Sequence, residues 1–335
     1  MDTWRLLERV FGWGGVLAYH GVAESVHSPV MHVTPERLRA QLTRLRDRYH
    51  VVTLDELLSR WRHGRSTRGC VAITFDDAYA GIGRWVVPVI RDLDVPVTIF
   101  VAAEHARMGA RYWWDTAERA RLTRSGGEWD RCVAAVSMPP LPAREIGSMA
   151  RLREHVIARH GGRWPGTLQP APQESPWRSH TFEELRAIAR EARIDFGVHT
   201  LTHPALPMIP AEEQRREIRE AHRVLCDELP SVLPVIAYPY GLYDRATIAA
   251  ARGVGMQAAV TMEGRAPGAR PDPFTIPRVG AGNLHAPESL TLRLHRVLRP
   301  ALIVRNRGMH PRVPRPTSAQ ASRRTMSRAD GMVVE

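Results

Sequence analysis

Two adjacent carboxylates stand directly behind an apolar run in the segment VAITFDDAYAG, residues 71–81. The β-branched and apolar residues predict a buried strand up to Phe75, so Asp76 and Asp77 would follow its carboxyl end. Two carboxylates at such a position can serve as a base and as a metal ligand. A plain structural explanation also exists, because aspartate is depleted inside strands and common in turns.

Two histidines four positions apart follow a second predicted strand, in the segment FGVHTLTHP. His199 and His203 would lie in the loop after residues 194–198, where a turn closed by Pro204 can bring both rings together. Imidazole is a common ligand of zinc and of other first-row metals. The alternative is a pair of ordinary loop histidines, since the chain contains 15 histidines.

The two patterns support each other, because the carboxyl ends of parallel strands meet at one rim of a barrel. Two histidines and one carboxylate form a ligand set that leaves positions open for water and substrate, as in catalytic metal sites. The other carboxylate of the doublet would then lie beside the reacting water as a base. The sequence therefore predicts a metal-assisted hydrolytic site built from strand ends.

A third strand end carries aromatic residues, in the segment AYPYGLYD. Pro239 and Gly241 predict a turn at the same rim, which would present Tyr238 and Tyr240. The competing interpretation is an ordinary turn with a packed aromatic side chain. Taken alone, this segment favours the ordinary turn.

The elements that must position these residues alternate between short apolar runs and amphipathic segments. Strands are predicted at 15–19, 50–54, 70–75, 95–101, 194–198, 234–238, 256–261 and 274–279. Helices are predicted near 34–49, 54–64, 81–93, 181–192, 211–229 and 244–252. Repeated strand–helix units favour an α/β fold with a mainly parallel sheet, and eight strands suit a closed or nearly closed barrel.

Residues 104–180 interrupt this alternation with the segment RYWWD, the run MPPLP and an arginine-rich helix near 143–160. We interpret them as an insertion in one strand–helix loop, with too little apolar periodicity for a sizeable core of its own. Loops of this length are usually functional lids or disordered segments. From residue 306 the chain is polar and rich in Pro, Ser and Arg, which predicts a disordered basic tail at 306–335.

The composition is that of a globular protein, with 44% hydrophobic and 24% charged residues. All 47 basic residues are arginine, and the net charge is +12. Much of this charge lies in the tail and forms no nucleic-acid-binding module, so we expect no specific nucleic-acid partner and only weak contact of the tail with a membrane surface. Three widely spaced cysteines, no membrane-spanning run and no signal-peptide pattern predict a cytoplasmic protein, with peripheral membrane association as an option.

With TFDD, HTLTHP and YPYG in this order, the chain resembles the polysaccharide deacetylase family, carbohydrate esterases that share a NodB-homology domain. The flanking segments VLAYHGV, TPERLRAQLTRL, VVTLDELL, PVTIFV and FTIPRV are similar to the branch that includes poly-N-acetylglucosamine deacetylases. The resemblance runs from about residue 15 to 280. It implies a distorted (β/α) barrel of about seven to eight parallel strands within a catalytic domain at 14–300.

The resemblance also implies roles for individual residues. It makes Asp76 the general base, and it implies one divalent metal ion, with zinc preferred. The implied metal ligands are Asp77, His199 and His203. Tyr240 and the adjacent Pro239 would contact the substrate, and the backbone N–H of Tyr240 would stabilise the oxyanion.

The chain departs from the family pattern in two places. Ala237 stands where many members carry an arginine that steadies the catalytic aspartate. Arg278, at the end of the last predicted strand, is the candidate replacement and a candidate substrate-binding residue. The usual Leu-x-His general acid is not evident near the C-terminus, where His285 and His295 are weak candidates. In the similar branch the motif order is circularly permuted and the histidine comes from an N-terminal Tyr-His pair, which makes His20 the preferred general acid.

The reaction that the resemblance implies is hydrolysis of an N-acetyl group on an amino sugar. The substrate would be an N-acetylated polysaccharide, oligosaccharide or glycolipid precursor. Because Ala237 and the uncertain acid weaken the catalytic set, a barrel that only binds carbohydrate or acts as a scaffold is the alternative. A third class, an arginine-rich protein that binds nucleic acid or a membrane surface, depends on the basic tail.

Overall fold

The computed structural model describes residues 15–294, apart from short gaps at 27, 29–30, 123–125, 146, 167, 265–266 and 268–270. The strands in chain order are β1 (Gly15–Tyr19), β2 (His50–Val51), β3 (Cys70–Phe75), β4 (Val97–Val101), β5 (Ile194–Val198), β6 (Val232–Ala237), β7 (Ala258–Thr261), β8 (Ile276–Pro277) and β9 (Val279–Gly280). His295, the last residues of the expected catalytic domain and the expected tail at 306–335 lie outside the described residues.

The strands form one sheet in the order β8-β7-β6-β5-β4-β3-β1-β9, and β2 pairs with β3 beside this path. Every pairing is parallel. β8 pairs with β7 and β9 pairs with β1, and only Arg278 separates β8 from β9. The segment 276–280 therefore joins both ends of the sheet, and the predicted nearly closed barrel of eight parallel strands is confirmed.

Helices alternate with these strands. Eleven α-helices are described: α1 (Pro35–Arg48), α2 (Leu54–Arg62), α3 (Val87–Asp92), α4 (Ala103–Met108), α5 (Trp113–Leu122), α6 (Gly126–Ala135), α7 (Ser148–His160), α8 (Phe182–Glu191), α9 (Ala211–Glu228), α10 (Arg245–Gly253) and α11 (Pro287–Leu294). A π-helix at Ile82–Val86 precedes α3, and 3₁₀ turns occupy Leu206–Met208 and Pro239–Gly241. In this part of the chain, no helix is long and apolar enough to cross a bilayer.

Local chemistry explains where several helices begin. Thr34 caps α1 by accepting the N–H of Arg37, and proline at the first helical position suits the fixed backbone angle of that residue. Thr181 and Glu184 form a reciprocal capping box at the start of α8. These caps satisfy donors that a helix N-terminus would otherwise leave unpaired.

Alternation along the strands divides the core into two layers. Outward residues such as Leu17, Ile73 and Phe196 pack against the helices in the larger hydrophobic cluster. Inward residues such as Ala72 and Phe100 form a second cluster together with apolar residues of α2. The interior of the barrel is thus a packed core, and its carboxyl-terminal rim is free to carry polar residues.

The strands predicted at 15–19, 70–75 and 194–198 have the observed bounds. The strand predicted at 50–54 is shorter, because pairing with β3 covers only its first two residues. The strand predicted at 274–279 is split at Arg278, since the chain there leaves β7 to join β1.

The insertion contains α4 to α7, between β4 and β5. The expectation that it lacks a core was wrong in one respect, because it forms a separate hydrophobic cluster around Trp113, Trp129, Leu152 and Val156. Trp129 is 1% exposed, and its Nε1 donates to the carbonyl oxygen of Leu141 at 2.5 Å. A few large tryptophan side chains bury enough apolar surface to form this core, although the sequence shows no regular apolar spacing.

We expect Gly197→Ala to destabilise the barrel by roughly 1–3 kcal/mol, the usual cost of overpacking a core. A Cβ at Gly197 would lie 2.5 Å from Cε1 of Phe100, whose ring fills the interior beside β5. Urea denaturation measures the change. Gly253→Ala is the control, because a Cβ there meets nothing within 4 Å. Equal stability of the two variants would contradict the packing assignment.

Candidate metal and catalytic site

The carboxyl ends of four parallel strands bring the sequence-predicted residues to one rim of the barrel. His20 follows β1, the aspartate doublet follows β3, the histidine pair follows β5 and Tyr240 follows β6. Arg278, between β8 and β9, reaches the same place from the closing segment. Residues far apart in sequence meet here because parallel strands all end at the same side.

Asp77, His199 and His203 converge on one point, and all three are buried. The two Nε2 atoms are 3.2 Å apart, and they lie 3.6 Å (His199) and 3.4 Å (His203) from Oδ1 of Asp77. Ligands of a tetrahedral zinc ion with bonds of 2.0–2.1 Å are separated by about 3.4 Å. Oδ1 of Asp77 has no hydrogen-bond partner among the described residues. The donor set and its spacing therefore fit a divalent metal ion.

The protonation states of the two histidines and of Asp77 also favour a metal site. Nδ1 of His199 donates to the carbonyl oxygen of Ala237 at 2.7 Å, which leaves Nε2 as a lone-pair donor toward the site. Burial lowers the pKa of both histidines, so both rings are neutral, as metal binding requires. Burial, then the charges of Asp76 and Asp115, raises the pKa of Asp77 well above its usual range. A bound cation would offset this repulsion.

The backbone around these ligands is strained. Seven described residues other than glycine have positive φ, and five of them lie at this rim: Asp77, Ala78, Thr200, His203 and Tyr240. Such conformations persist where surrounding contacts over-determine them, and they concentrate at functional sites.

Buried hydrogen bonds hold both ligand loops. The hydroxyl of Tyr112 donates to the carbonyl oxygen of Asp77 at 3.0 Å. Glu217, 1% exposed, accepts from the N–H groups of Leu201 and Thr202 and from the guanidinium of Arg163. The candidate metal ligands are thus positioned by contacts that do not depend on a metal.

Asp76 forms a buried two-point ion pair with Arg278. Nη1 and Nη2 of the arginine donate to the two carboxylate oxygens at 2.7 and 2.6 Å. Burial alone would raise the pKa of Asp76, but the charge and hydrogen bonds of Arg278 outweigh it and lower this pKa to about 2. Arg278 has no exposed surface, so its placement fits a residue that steadies Asp76 and does not fit direct contact with a substrate.

Of the candidate acids, the structure brings His20 to this site. Its Nε2 lies 3.7 Å from Oδ2 of Asp76, and burial, against the charge of Asp76, lowers its pKa to about 4. His285 instead accepts from the N–H of Gly282 and contacts Arg293 of α11.

Tyr240 is held by the insertion. Its hydroxyl donates to the carbonyl oxygen of Gly162 at 2.5 Å and accepts from Nε1 of Trp113 at 3.1 Å. Gly162 has a φ of +81°, and a Cβ there would lie 2.6 Å from the Tyr240 ring. Pro239 is buried in the same 3₁₀ turn. The phenol ring is therefore fixed beside His203, with 4.9 Å between ring centroids.

Sequence reasoning missed several residues that the insertion adds to the site. Tyr112 and Trp114 flank His203, with ring centroids at 5.5 and 5.0 Å. Asp115 is buried, accepts from the hydroxyl of Tyr79 at 2.6 Å and lies 3.5 Å from Nε2 of His32. The segment RYWWD was the only signal, and nothing in its pattern showed which rim it would join.

Comparison with known proteins supports the fold and the family. A model of the polysaccharide deacetylase family matches residues 63–259, more than half of the chain. The search of curated proteins gave no match.

Solved structures with similar folds include three bacterial proteins. The deacetylase PplD of Streptococcus pyogenes, in complex with acetate, has a TM-score of 0.57 at 17% identity, over 84% of this chain and 97% of that chain. IcaB from Ammonifex degensii has a TM-score of 0.56 at 17% identity, over 85% and 97%. A de-N-acetylase from Aggregatibacter actinomycetemcomitans has a TM-score of 0.55 at 14% identity, over 84% and 99%.

Removal of either histidine should remove the metal. We expect His199→Ala and His203→Ala to lower metal affinity by more than about 100-fold, beyond the roughly 10- to 100-fold effect of an outer partner. Elemental analysis after dialysis against a chelator measures this. His105→Ala is the matched control, a buried ring 6.4 Å from His203 that is not in the ligand set. Full metal content in either ligand variant would refute the assignment.

Arg278→Met should destabilise the protein by roughly 3–5 kcal/mol at pH 7, because it leaves a buried carboxylate unpaired. The folded-state pKa of Asp76 lies below its ordinary value of 3.8, so the pair stabilises fully above about pH 4 and loses this contribution toward pH 2. The deficit should therefore shrink at pH 3 in urea denaturation.

Two comparisons check the cause of this deficit. Asp76→Asn combined with Arg278→Met should recover much of the stability, because no buried charge remains. Arg60→Met, which breaks an exposed pair with Glu56, should cost only about 0.3–0.5 kcal/mol. A pH-independent deficit for Arg278→Met would show that packing and not charge is responsible.

Proposed function

The chain belongs to the polysaccharide deacetylase family, and on this premise we propose that it is a metal-dependent hydrolase that removes an N-acetyl group from an amino sugar. One observation carries the proposal: three buried lone-pair donors converge beside a buried carboxylate that is kept ionised. A closed structural metal site would have no use for that second carboxylate. We propose zinc as the ion, because imidazole and carboxylate ligands in this geometry suit it.

Asp77, His199 and His203 would hold the ion. When bound, it lowers the pKa of a water molecule and polarises the carbonyl oxygen of the N-acetyl group. The chain's own residues would transfer the protons and orient the catalytic carboxylate. Arg278 holds both oxygens of Asp76, so the carboxylate keeps one orientation and remains charged near neutral pH.

In the proposed mechanism, Asp76 accepts the proton of the attacking water. The proton would then pass from Asp76 to Nε2 of His20 through a bridging water molecule, because the 3.7 Å between Oδ2 and Nε2 is too long for a direct hydrogen bond. His20 then donates this proton to the leaving nitrogen as the C–N bond breaks. The products are acetate and the free amine of the sugar, and acetate is bound in the PplD structure.

Developing negative charge on the carbonyl oxygen needs fixed donors. We propose the backbone N–H of Tyr240 for this role, with the Tyr240 ring and Pro239 as part of the sugar site. The turn that carries them is held by the insertion through Trp113 and Gly162. The insertion would thus act as a fixed wall of the active site.

The substrate is proposed to be an N-acetylated amino sugar in a polysaccharide, an oligosaccharide or a glycolipid precursor. Ala237 and the absence of an evident C-terminal acid leave room for a barrel that binds carbohydrate without turnover. The hydrogen bonds of Arg278 to both oxygens of Asp76 support its proposed role as the replacement for the arginine that many family members carry in place of Ala237. This pair supports turnover over carbohydrate binding alone.

Release of acetate from N-acetylated sugars tests the function. We expect turnover by metal-loaded enzyme and none after chelation, with activity restored by added zinc. Asp76→Asn should retain the metal and lose about 10²- to 10⁴-fold in kcat, because an amide cannot accept the proton. Sugar binding without acetate release by the loaded protein would favour the carbohydrate-binding alternative.

His20→Ala should separate two acetyl substrates. An amide needs its leaving nitrogen protonated, whereas nitrophenyl acetate releases a stable phenolate. We expect at least about a 100-fold loss on the N-acetyl sugar and a much smaller loss on the ester, with metal content unchanged. His285→Ala, the control, should affect neither. Equal losses on both substrates would reduce His20 to a structural residue.

A further inference from the structure

Arg153 lies in the helix α7 of the insertion and faces the barrel rim. Its helical neighbour one turn on, Ile157, packs with Ala205 and Leu242 of the rim loops. Positions four apart share one helix face, so Arg153 lies on this face as well. Its guanidinium carbon is 5.4 Å from the centroid of the Tyr240 ring. The insertion therefore places a cation directly over the residue that the proposed function assigns to substrate.

The guanidinium has no acidic partner among the described residues. Arg153 is partly buried, and its Nε is buried without a hydrogen-bond partner. Burial lowers the pKa of Arg153, and its charge acts in turn on His20, His203 and Asp77, in each case after the larger effect of burial. A guanidinium offers five donors, and leaving buried donors unpaired is unfavourable.

The carboxylates nearest to the Arg153 guanidinium already have other partners. Asp76 is paired with Arg278, and Asp77 belongs to the proposed metal set. Asp115 lies against Tyr79 and His32. A divalent ion exceeds the single charge of Asp77, so the loaded pocket carries excess positive charge before Arg153 is added. An anionic group on the ligand would supply the counter-charge that these engaged carboxylates do not provide.

We propose that Arg153 forms an anion subsite, and that the preferred substrate is an N-acetylated sugar that carries a phosphate or a carboxylate. A guanidinium matches both groups through paired hydrogen bonds. The inference rests on the proposed function and specifies its substrate class. The Tyr240 ring, fixed by Trp113 and Gly162, provides the platform that orients the arginine.

Arg153 could instead serve only to hold the Tyr240 ring. That role would affect neutral and anionic substrates equally. An anion subsite acts on binding of one class, so its loss should appear mainly in KM for the charged substrate. The comparison of substrates therefore separates the two roles.

The experiment compares metal-loaded wild type, Arg153→Met, Arg153→Lys and Arg159→Met. Arg159 is an exposed arginine of the same helix and serves as the matched control. The substrates are N-acetylglucosamine, its 1-phosphate, its 6-phosphate and N-acetylmuramic acid, so that phosphate and carboxylate are distinguished. Acetate release gives kcat and KM for each pair.

We expect wild type to prefer at least one anionic substrate by roughly 10- to 100-fold in kcat/KM, the factor of a charge-assisted hydrogen bond. Arg153→Met should abolish this preference through KM, Arg153→Lys should keep part of it, and Arg159→Met should match wild type. No anionic preference in wild type, or equal losses on neutral and anionic substrates, would overturn the subsite.

Product binding tests the subsite without turnover. Calorimetry should show tighter binding of glucosamine 1-phosphate or 6-phosphate than of glucosamine to wild type, with the difference lost in Arg153→Met. This result with no acetate release would sink the proposed reaction and keep the subsite. Equal affinity of wild type and Arg153→Met for every phosphorylated amine would overturn the subsite, since phosphate would then bind elsewhere.

Discussion

The buried pair between Arg278 and Asp76 is the interaction on which the rest of the structure depends. Arg278 lies where the chain leaves β7 and joins β1, and its backbone N–H and Nε both donate to the carbonyl oxygen of Thr261. The same side chain donates two hydrogen bonds to the carboxylate of Asp76, which would activate water. Because one residue takes part in both, we expect a defect in barrel closure to disturb the ionisation of Asp76, and the reverse.

Most of the site could be predicted because its residues follow apolar strands. Asp76, Asp77, His199 and His203 stand immediately behind runs whose hydrophobic pattern predicts buried strands, and parallel strands must end at one rim. The barrel followed from the same alternation of strands and helices. His20 was singled out by the resemblance of the segment around it to one branch of the family, and its place after the first strand put it on the same rim.

The partners of these residues were harder to predict. The contact of Arg278 with Asp76 spans 202 positions, so no local pattern encodes it, and only the departure from the family pattern at Ala237 pointed to Arg278. The split of the last strand into β8 and β9 arises from pairing with two different neighbours, which propensity does not report. The insertion has its own tryptophan-centred core, which apolar periodicity did not predict. All basic residues of the chain are arginine, so nothing in the sequence distinguishes Arg153 before the fold places it over Tyr240.

The pairing of β1 with β9 has a consequence for how the chain folds. The two strands come from opposite ends of the described residues, so the wall between them has high contact order and closes late. During synthesis the candidate metal ligands emerge before Arg278 does. Until the last strand docks, Asp76 would lack its counter-charge beside a second carboxylate. A nascent or truncated barrel without β9 would thus leave the apolar strand β1 as an unpaired edge, and that edge is where chaperone dependence and aggregation should concentrate.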